Sequence, residues 1–275
     1  MFLNMKRAFT DQLGRTISVD FPPQRIISLV PSQTELLAHL GLDEETVGIT
    51  RFCVHPEAWF RNKGRVGGTK QLNLDAIGAL QPGLLIGNKE ENDKQQIEGL
   101  AEKYPVWLSD VKTLEDALDM IRGIGVLTNR SQQAELLFGQ IRESFDTLAE
   151  EMAGKRRRRV AYFIWRKPYY VAGGDTFIND MLQRAGFENV FGHKSRYPEI
   201  SLEELAEARP EAILLSSEPY PFKDQHRKEF QRACPITTLK MVDGECFSWY
   251  GSRLLLSVGY FRKVRHALTE AYRTL

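Results

Sequence analysis

The stretch Asn129-Arg130-Ser131-Gln132-Gln133-Ala134-Glu135-Leu136-Leu137-Phe138-Gly139-Gln140-Ile141-Arg142-Glu143-Ser144-Phe145-Asp146-Thr147-Leu148-Ala149-Glu150-Glu151-Met152-Ala153-Gly154 reads as one long helix. Its apolar residues Ala134, Leu137, Phe138, Ile141, Phe145, Leu148 and Met152 step by threes and fours, the period of a single helical stripe. Asn129, with Gln132 three residues on, has the pattern of a capping box. Gly154 and the run Lys155-Arg156-Arg157-Arg158-Arg159 mark the stop, where cations suit the helix dipole. At about 1.5 Å per residue the helix is on the order of 35–40 Å long, enough to cross a small domain.

The sequence on its two sides is similar. Before it stands Asn73-Leu74-Asp75-Ala76-Ile77, then Gln81-Pro82-Gly83-Leu84-Leu85-Ile86; after it stands Ser201-Leu202-Glu203-Glu204-Leu205, then Arg209-Pro210-Glu211-Ala212-Ile213-Leu214. Each copy reads as a capped helix, a proline stop and a buried parallel strand. Caps and prolines are common punctuation, but cap, acid and proline all keep register, which favours duplication. The expected fold is therefore α/β: two lobes, each with a mainly parallel sheet flanked by helices, joined by one long backbone helix. The expected boundaries are residues 1–128, the bridging helix 129–154, and residues 155–275.

Bulk composition agrees with an ordinary globule: of 275 residues, 42% are hydrophobic and 27% charged. The formal net charge of +1 speaks against nucleic acid as a partner. The three cysteines, Cys53, Cys234 and Cys246, are odd in number and form no CxxC, so they suggest neither a disulfide framework nor a zinc knuckle. No apolar run approaches transmembrane length. The start, Met1-Phe2-Leu3-Asn4-Met5-Lys6-Arg7, carries no export signal, which reads as cytoplasmic for the chain as written. A signal outside this sequence would make it periplasmic or cell-surface.

Ala8 to Asp20 reads as a hairpin around Leu13-Gly14, and Arg25 to Val30 as a buried strand. Ser32-Gln33-Thr34-Glu35 looks like a capping box opening the next helix. Three loops leaving strands are rich in aromatics and cations: Arg51/Phe52/His55, Trp165/Arg166/Tyr169/Tyr170, and Trp249/Tyr250/Arg253. Flat rings with guanidinium groups suit a planar anionic or metal-chelating ligand. The predicted wall of a ligand cleft is Phe52, Asn88, Trp165, Arg166, Tyr169, Trp249, Tyr250 and Arg253, with Asn88 in the polar loop Gly87 to Asn92.

Catalytic signatures are missing: no GxSxG, HExxH, P-loop or GxGxxG occurs. Cys53 and His55 are close enough to share a metal, but two ligands fall short of a site. Gly173-Gly174-Asp175-Thr176 either offers N–H groups to an anion or simply caps a helix. Asp75 and Glu203 sit in the first turns of equivalent helices. There they either serve only the dipole or form one acid per lobe touching a two-fold partner.

Arg25-Ile26-Ile27-Ser28-Leu29-Val30-Pro31-Ser32-Gln33-Thr34-Glu35, Val47-Gly48-Ile49-Thr50, Asn73-Leu74-Asp75, Ser201-Leu202-Glu203 and Ser252-Arg253 resemble the substrate-binding proteins of ABC importers for cobalamin and ferric siderophores. The resemblance spans the chain from about Phe9 to the last helix. It implies non-enzymatic binding of a small-molecule metal complex between the lobes, with no intrinsic cofactor and no resident metal. It also implies a dimeric permease whose arginines meet Asp75 and Glu203. The cobalamin binders carry large aromatics where this chain has Thr69 and Asn88, so the ligand class stays open between a corrinoid, haem and a ferric chelate. A monomer that does not span the membrane is expected. The alternative is a cytosolic enzyme or metallochaperone reusing the fold on such a compound.

Overall fold

The computed structural model describes residues 5–273, with side chains to residue 271. The first four residues of the N-terminal stretch read above for an export signal lie outside the described residues. The chain divides into two compact units. Unit 1 holds residues up to Val111, Glu115–Gln140 and the short segment Tyr250–Arg253; unit 2 holds Lys112–Leu114, Ile141–Trp249 and Leu254 onward.

Unit 1 opens with an antiparallel hairpin, β1 (Met5–Thr10) and β2 (Thr16–Phe21), turning at Gly14 as the sequence suggests. The central strands follow: β3 (Ile26–Ser28), helix α1 (Pro31–His39), β4 (Thr46–Ile49), α2 (Glu57–Asn62) and β5 (Gly64–Arg65). Then come α3 (Leu74–Ala79), β6 (Leu84–Asn88), α4 (Lys94–Ala101), β7 (Val106–Ser109) and α5 (Leu114–Leu127). The sheet order is β5-β4-β3-β6-β7, all parallel. Every residue of β6 is buried, as a strand covered on both faces requires. Ile27, Leu29 and Leu85 meet Ile77, Ile97 and Leu100 of the flanking helices in the core.

The long helix, α6 (Ser131–Met152), starts in unit 1 and ends in unit 2. Five of its seven predicted stripe residues, Ala134, Leu137, Ile141, Phe145 and Leu148, are buried, and Phe138 and Met152 are half-buried. Its predicted start is not observed. Asn129 has φ 58° and ends α5, where Arg130 N–H donates to the Gly125 carbonyl at 2.7 Å. Asparagine tolerates this left-handed conformation, so the same residue type that caps a helix start here closes a helix end. Gly125 makes the tight turn possible: a Cβ there would lie 2.3 Å from that of Ala134.

Unit 2 contains β8 (Arg158–Trp165), β9 (Tyr169–Val171), α7 (Phe177–Arg184), β10 (Phe187–Asn189), β11 (Glu199–Ile200) and α8 (Leu202–Ala208). It ends with β12 (Ala212–Ser216), α9 (Arg227–Ala233), β13 (Thr238–Val242), α10 (Glu245–Ser248) and α11 (Leu254–Arg273). Parallel strands β8, β12 and β13 form the middle, β10 joins β8 in parallel, and β9 and β11 extend the sheet antiparallel. The α/β class with a parallel sheet in each half is as the sequence predicts. Two local expectations fail here. Arg158 and Arg159 are strand residues, not a helix cap, and residues 165–170 form a tight reversal, not an exit loop. Lys167, at φ 58°, turns the chain so that Tyr170 and Val171 pair back on β8.

The duplication extends to atomic detail. Asn73 caps α3 through Ala76 N–H at 3.0 Å, and Ser201 caps α8 through Glu204 N–H at 3.1 Å. The residues before the two prolines, Gln81 and Arg209, have φ 45° and 47°. In unit 1, Arg25 donates to the Leu80 and Gln81 carbonyls; in unit 2, Arg159 donates to those of Ala208 and Arg209. Each guanidinium thus satisfies orphan carbonyls at the end of the equivalent helix.

Candidate functional site

In a parallel sheet all strands end on one edge, so the loops leaving those ends gather there. In unit 1 this edge carries Arg51 and Phe52 after β4, the turn Gly67-Gly68, and Asn88 to Asn92 after β6. Phe52 is 48% exposed, with the Arg51 guanidinium 4.9 Å from its ring centre. Asn88 is different. It is buried, and its side chain bonds inward: the amide donates to Ser109 Oγ at 2.9 Å, and the oxygen accepts from Glu90 and Glu91 N–H. It shapes the loop.

The segment Tyr250–Arg253 is anchored in the same unit. Tyr250 is buried, and its hydroxyl donates to the Glu91 carboxylate. Burial, reinforced by Glu91, pushes its pKa well above the ordinary phenol range. Arg253 grips Glu35 through Nε at 3.0 Å and a terminal nitrogen at 2.7 Å. This also revises the capping box predicted at Ser32. Helix α1 begins at Pro31 after Val30, whose side chain cannot cap it, so Ser32 lies inside the helix and Glu35 pairs with Arg253.

Unit 2's edge carries Trp165 at the end of β8, residues 217–222 after β12, and residues 243–249 after β13. Trp165 is 39% exposed and packs edge-on against Tyr220, centroids 5.6 Å apart. Arg166 is held by Glu229 in a two-point ion pair at 2.7 and 2.9 Å. Tyr169 packs edge-on against Phe163 and Phe230, and burial pushes its hydroxyl up to about 12. Trp249 is buried, its indole N–H donating to Glu218 Oε1 at 2.9 Å; Ser248 donates to the same oxygen at 2.6 Å.

The eight predicted wall residues therefore divide. Phe52 and Trp165 expose large apolar surface at their strand ends, Tyr169 packs against Phe163 and Phe230, and Asn88, Trp249 and Tyr250 are buried in hydrogen-bonded roles. Arg166 and Arg253, predicted to meet an anionic ligand, are paired with Glu229 and Glu35. Sequence reasoning passed over these glutamates and Glu218 because partners distant in the chain leave no local pattern.

The other candidates resolve as follows. Cys53 is buried between the hydroxyls of Thr34 and Thr50 at 3.0 and 3.1 Å, and burial raises its pKa. Among the described residues no group of three or more metal-ligating side chains occurs. Gly173 and Gly174 N–H groups are engaged by the Arg196 and Lys194 carbonyls, and Thr176 caps α7. That loop is a cap, not an anion cradle. Asp75 and Glu203 are exposed in the first turns of α3 and α8. Among the described residues no helix is long and apolar enough to cross a membrane.

The sequence profile of the family described as periplasmic binding protein matches residues 26–234, well over half of the chain. The chain belongs to the periplasmic binding protein family. It is 28% identical over 241 residues to the vitamin B12-binding protein of Pectobacterium carotovorum subsp. carotovorum (strain PC1), covering 86% of each chain. The fold matches the crystal structure of the periplasmic vitamin B12 binding protein of Vibrio cholerae, with TM-score 0.78, 20% identity, and 90% and 98% of the two chains covered. It also matches the periplasmic heme-binding protein of Roseiflexus sp. RS-1, with TM-score 0.76, 20% identity and the same coverage. This periplasmic binding protein is thus a non-enzymatic, ligand-binding component of the class that serves ABC importers. The cytosolic enzyme or metallochaperone alternative is not favoured.

Proposed function

We propose that this periplasmic binding protein captures a corrinoid or a related metal chelate on its strand-end loops and delivers it to a dimeric ABC permease outside the cytoplasm, as a monomer. The observation that carries the reading is the pair of exposed aromatics, Phe52 and Trp165, at the carboxyl ends of parallel strands. Rings left at a strand end are free to stack on a flat ligand. The vitamin B12- and heme-binding relatives support the ligand class. Native mass spectrometry with cyanocobalamin, haem and a ferric trihydroxamate tests it: retention of one at near-equimolar ratio is expected, and retention of none refutes it.

The docking part of the reading rests on Asp75 and Glu203, exposed acids at equivalent positions of a duplicated unit. Matching permease arginines would engage both. Charge reversal of both, Asp75→Lys with Glu203→Lys, should abolish permease recovery in a membrane pull-down while leaving ligand retention unchanged. If wild type and variant recover the permease equally, these acids serve only their helix dipoles.

A further inference from the structure

Unit 2 holds one carboxylate in an unusual position. Glu218 sits two residues past the end of β12, on the edge that carries Trp165 and Tyr220. Its Oε1 accepts both Ser248 Oγ and Trp249 Nε1, which fix the side chain. Among the described residues its second oxygen accepts no hydrogen bond, and it is not sealed from solvent. Among the described residues no cation pairs with it. The charged groups facing it are acids, Asp243 and Glu245, with the neutral Tyr162 hydroxyl beneath. At the same edge the carboxylate of Glu229, by contrast, is paired with Arg166.

A mere structural clip for Ser248 and Trp249 needs only a neutral acceptor. A partly desolvated carboxylate beside two other acids costs stability that a glutamine would not. Unpaired charges held rigid in such surroundings mark functional positions.

We propose that Glu218 is the specificity-determining acceptor of the ligand site, oriented by Trp249 and Ser248, and that it selects a ligand whose edge carries N–H donors over one whose edge carries carboxylates. This rests on the function proposed above and narrows it. A corrinoid edge bears neutral amide groups that donate to Glu218 Oε2. A porphyrin edge bears propionates, which its charge repels. Trp249 then acts through Glu218 as a positioning residue.

The test is calorimetric titration of wild type, Glu218→Gln and Glu218→Ala with cyanocobalamin and with haem, at neutral and acidic pH. Exchanging a charge-assisted hydrogen bond for a neutral one should weaken cyanocobalamin about tenfold in Glu218→Gln, and more in Glu218→Ala, while haem binding holds or improves. Wild-type affinity for cyanocobalamin should fall on acidification as Glu218 takes a proton, and that of Glu218→Gln should not. Unchanged cyanocobalamin affinity in both variants overturns the proposal. So does equal loss of both probes with a lowered melting temperature, the mark of a structural clip. A wild type that prefers haem overturns it too, and leaves the metal-chelate function standing. A wild type that binds no probe, the ferric trihydroxamate included, refutes that function itself, and this proposal with it.

Discussion

Replacing Arg253 by methionine separates architecture from recognition in a residue whose sequence context suggests a ligand contact. The substitution keeps most of the aliphatic stem and removes the guanidinium. Glu35 then loses two charge-assisted hydrogen bonds, at 2.7 and 3.0 Å, in a site where the two side chains are 11% and 21% exposed for Arg253 and Glu35. Exposed pairs contribute about 0–1 kcal/mol, and stripping one partner from a fully buried pair costs about 3–5 kcal/mol. This pair lies between, so the expected loss is about 2 kcal/mol, or about 4–8 °C in Tm for a chain of this size. Because the chain has two compact units, calorimetry is the suitable assay, with the loss expected in the transition of unit 1. The double variant Arg253→Met with Glu35→Gln removes the stranded charge and should recover part of the loss, giving a clear coupling energy. A melting curve identical to wild type, combined with lost affinity for cyanocobalamin, would refute the reasoning and return Arg253 to the ligand.

Three further outcomes are expected. Trp165→Ala should lower cyanocobalamin affinity by about 1–3 kcal/mol with little change in melting, since the ring is partly exposed; lost stability with intact affinity would make the ring a packing element. Glu218 has a raised folded-state pKa because burial disfavours its charged form. The native state therefore binds its proton more readily than the unfolded chain, and this group's contribution falls as pH rises through the folded pKa. Glu218→Gln should accordingly melt at or above wild type at neutral pH, with the gap closing toward the ordinary carboxylate range; a lower melting temperature at neutral pH would contradict this. Gly174→Ala should destabilise unit 2 by about 2 kcal/mol or more, because the new Cβ would sit 2.0 Å from the Gly192 carbonyl oxygen, and a near-silent substitution would show that this strand-to-helix loop yields easily.

The scaffold was legible because its signals are local and periodic. The α6 stripe, the two capped helices, and the prolines seven residues after Asp75 and Glu203 each follow from neighbours a few positions apart. Where one residue type serves two ends of a helix, as Asn129 does, the reading failed on the boundary and not on the helix. The reversal at Lys167 was missed because an aromatic pair after a strand reads equally as a loop or as a returning strand. The site was less legible for a deeper reason. Arginines and tryptophans announce recognition, but whether they are available is decided by partners far along the chain. Glu35 lies 218 residues from Arg253, Glu229 lies 63 from Arg166, and Glu91 lies 159 from Tyr250. Composition shows the cation; only the fold shows the acid that holds it.

The duplication sharpens this point. The strands following the two prolines end at Asn88 and Ser216, six residues beyond Pro82 and Pro210. Each of those short polar side chains bonds the backbone two residues on: Asn88 accepts from Glu90 N–H at 2.8 Å, and Ser216 from Glu218 N–H at 3.3 Å. Both copies therefore build the same turn, and both place a glutamate at its tip. The scaffold dictates the turn and leaves the glutamate's surroundings to the rest of each unit. In unit 1 the neighbouring Glu91 receives the Tyr250 hydroxyl, and Lys70 reaches the Glu90 carbonyl. In unit 2 no lysine or arginine pairs with Glu218 among the described residues, and Ser248 and Trp249 hold one oxygen while the other stays open. Equivalent backbone positions thus carry different chemistry. The two units share the turn and differ in what surrounds the glutamate at its tip.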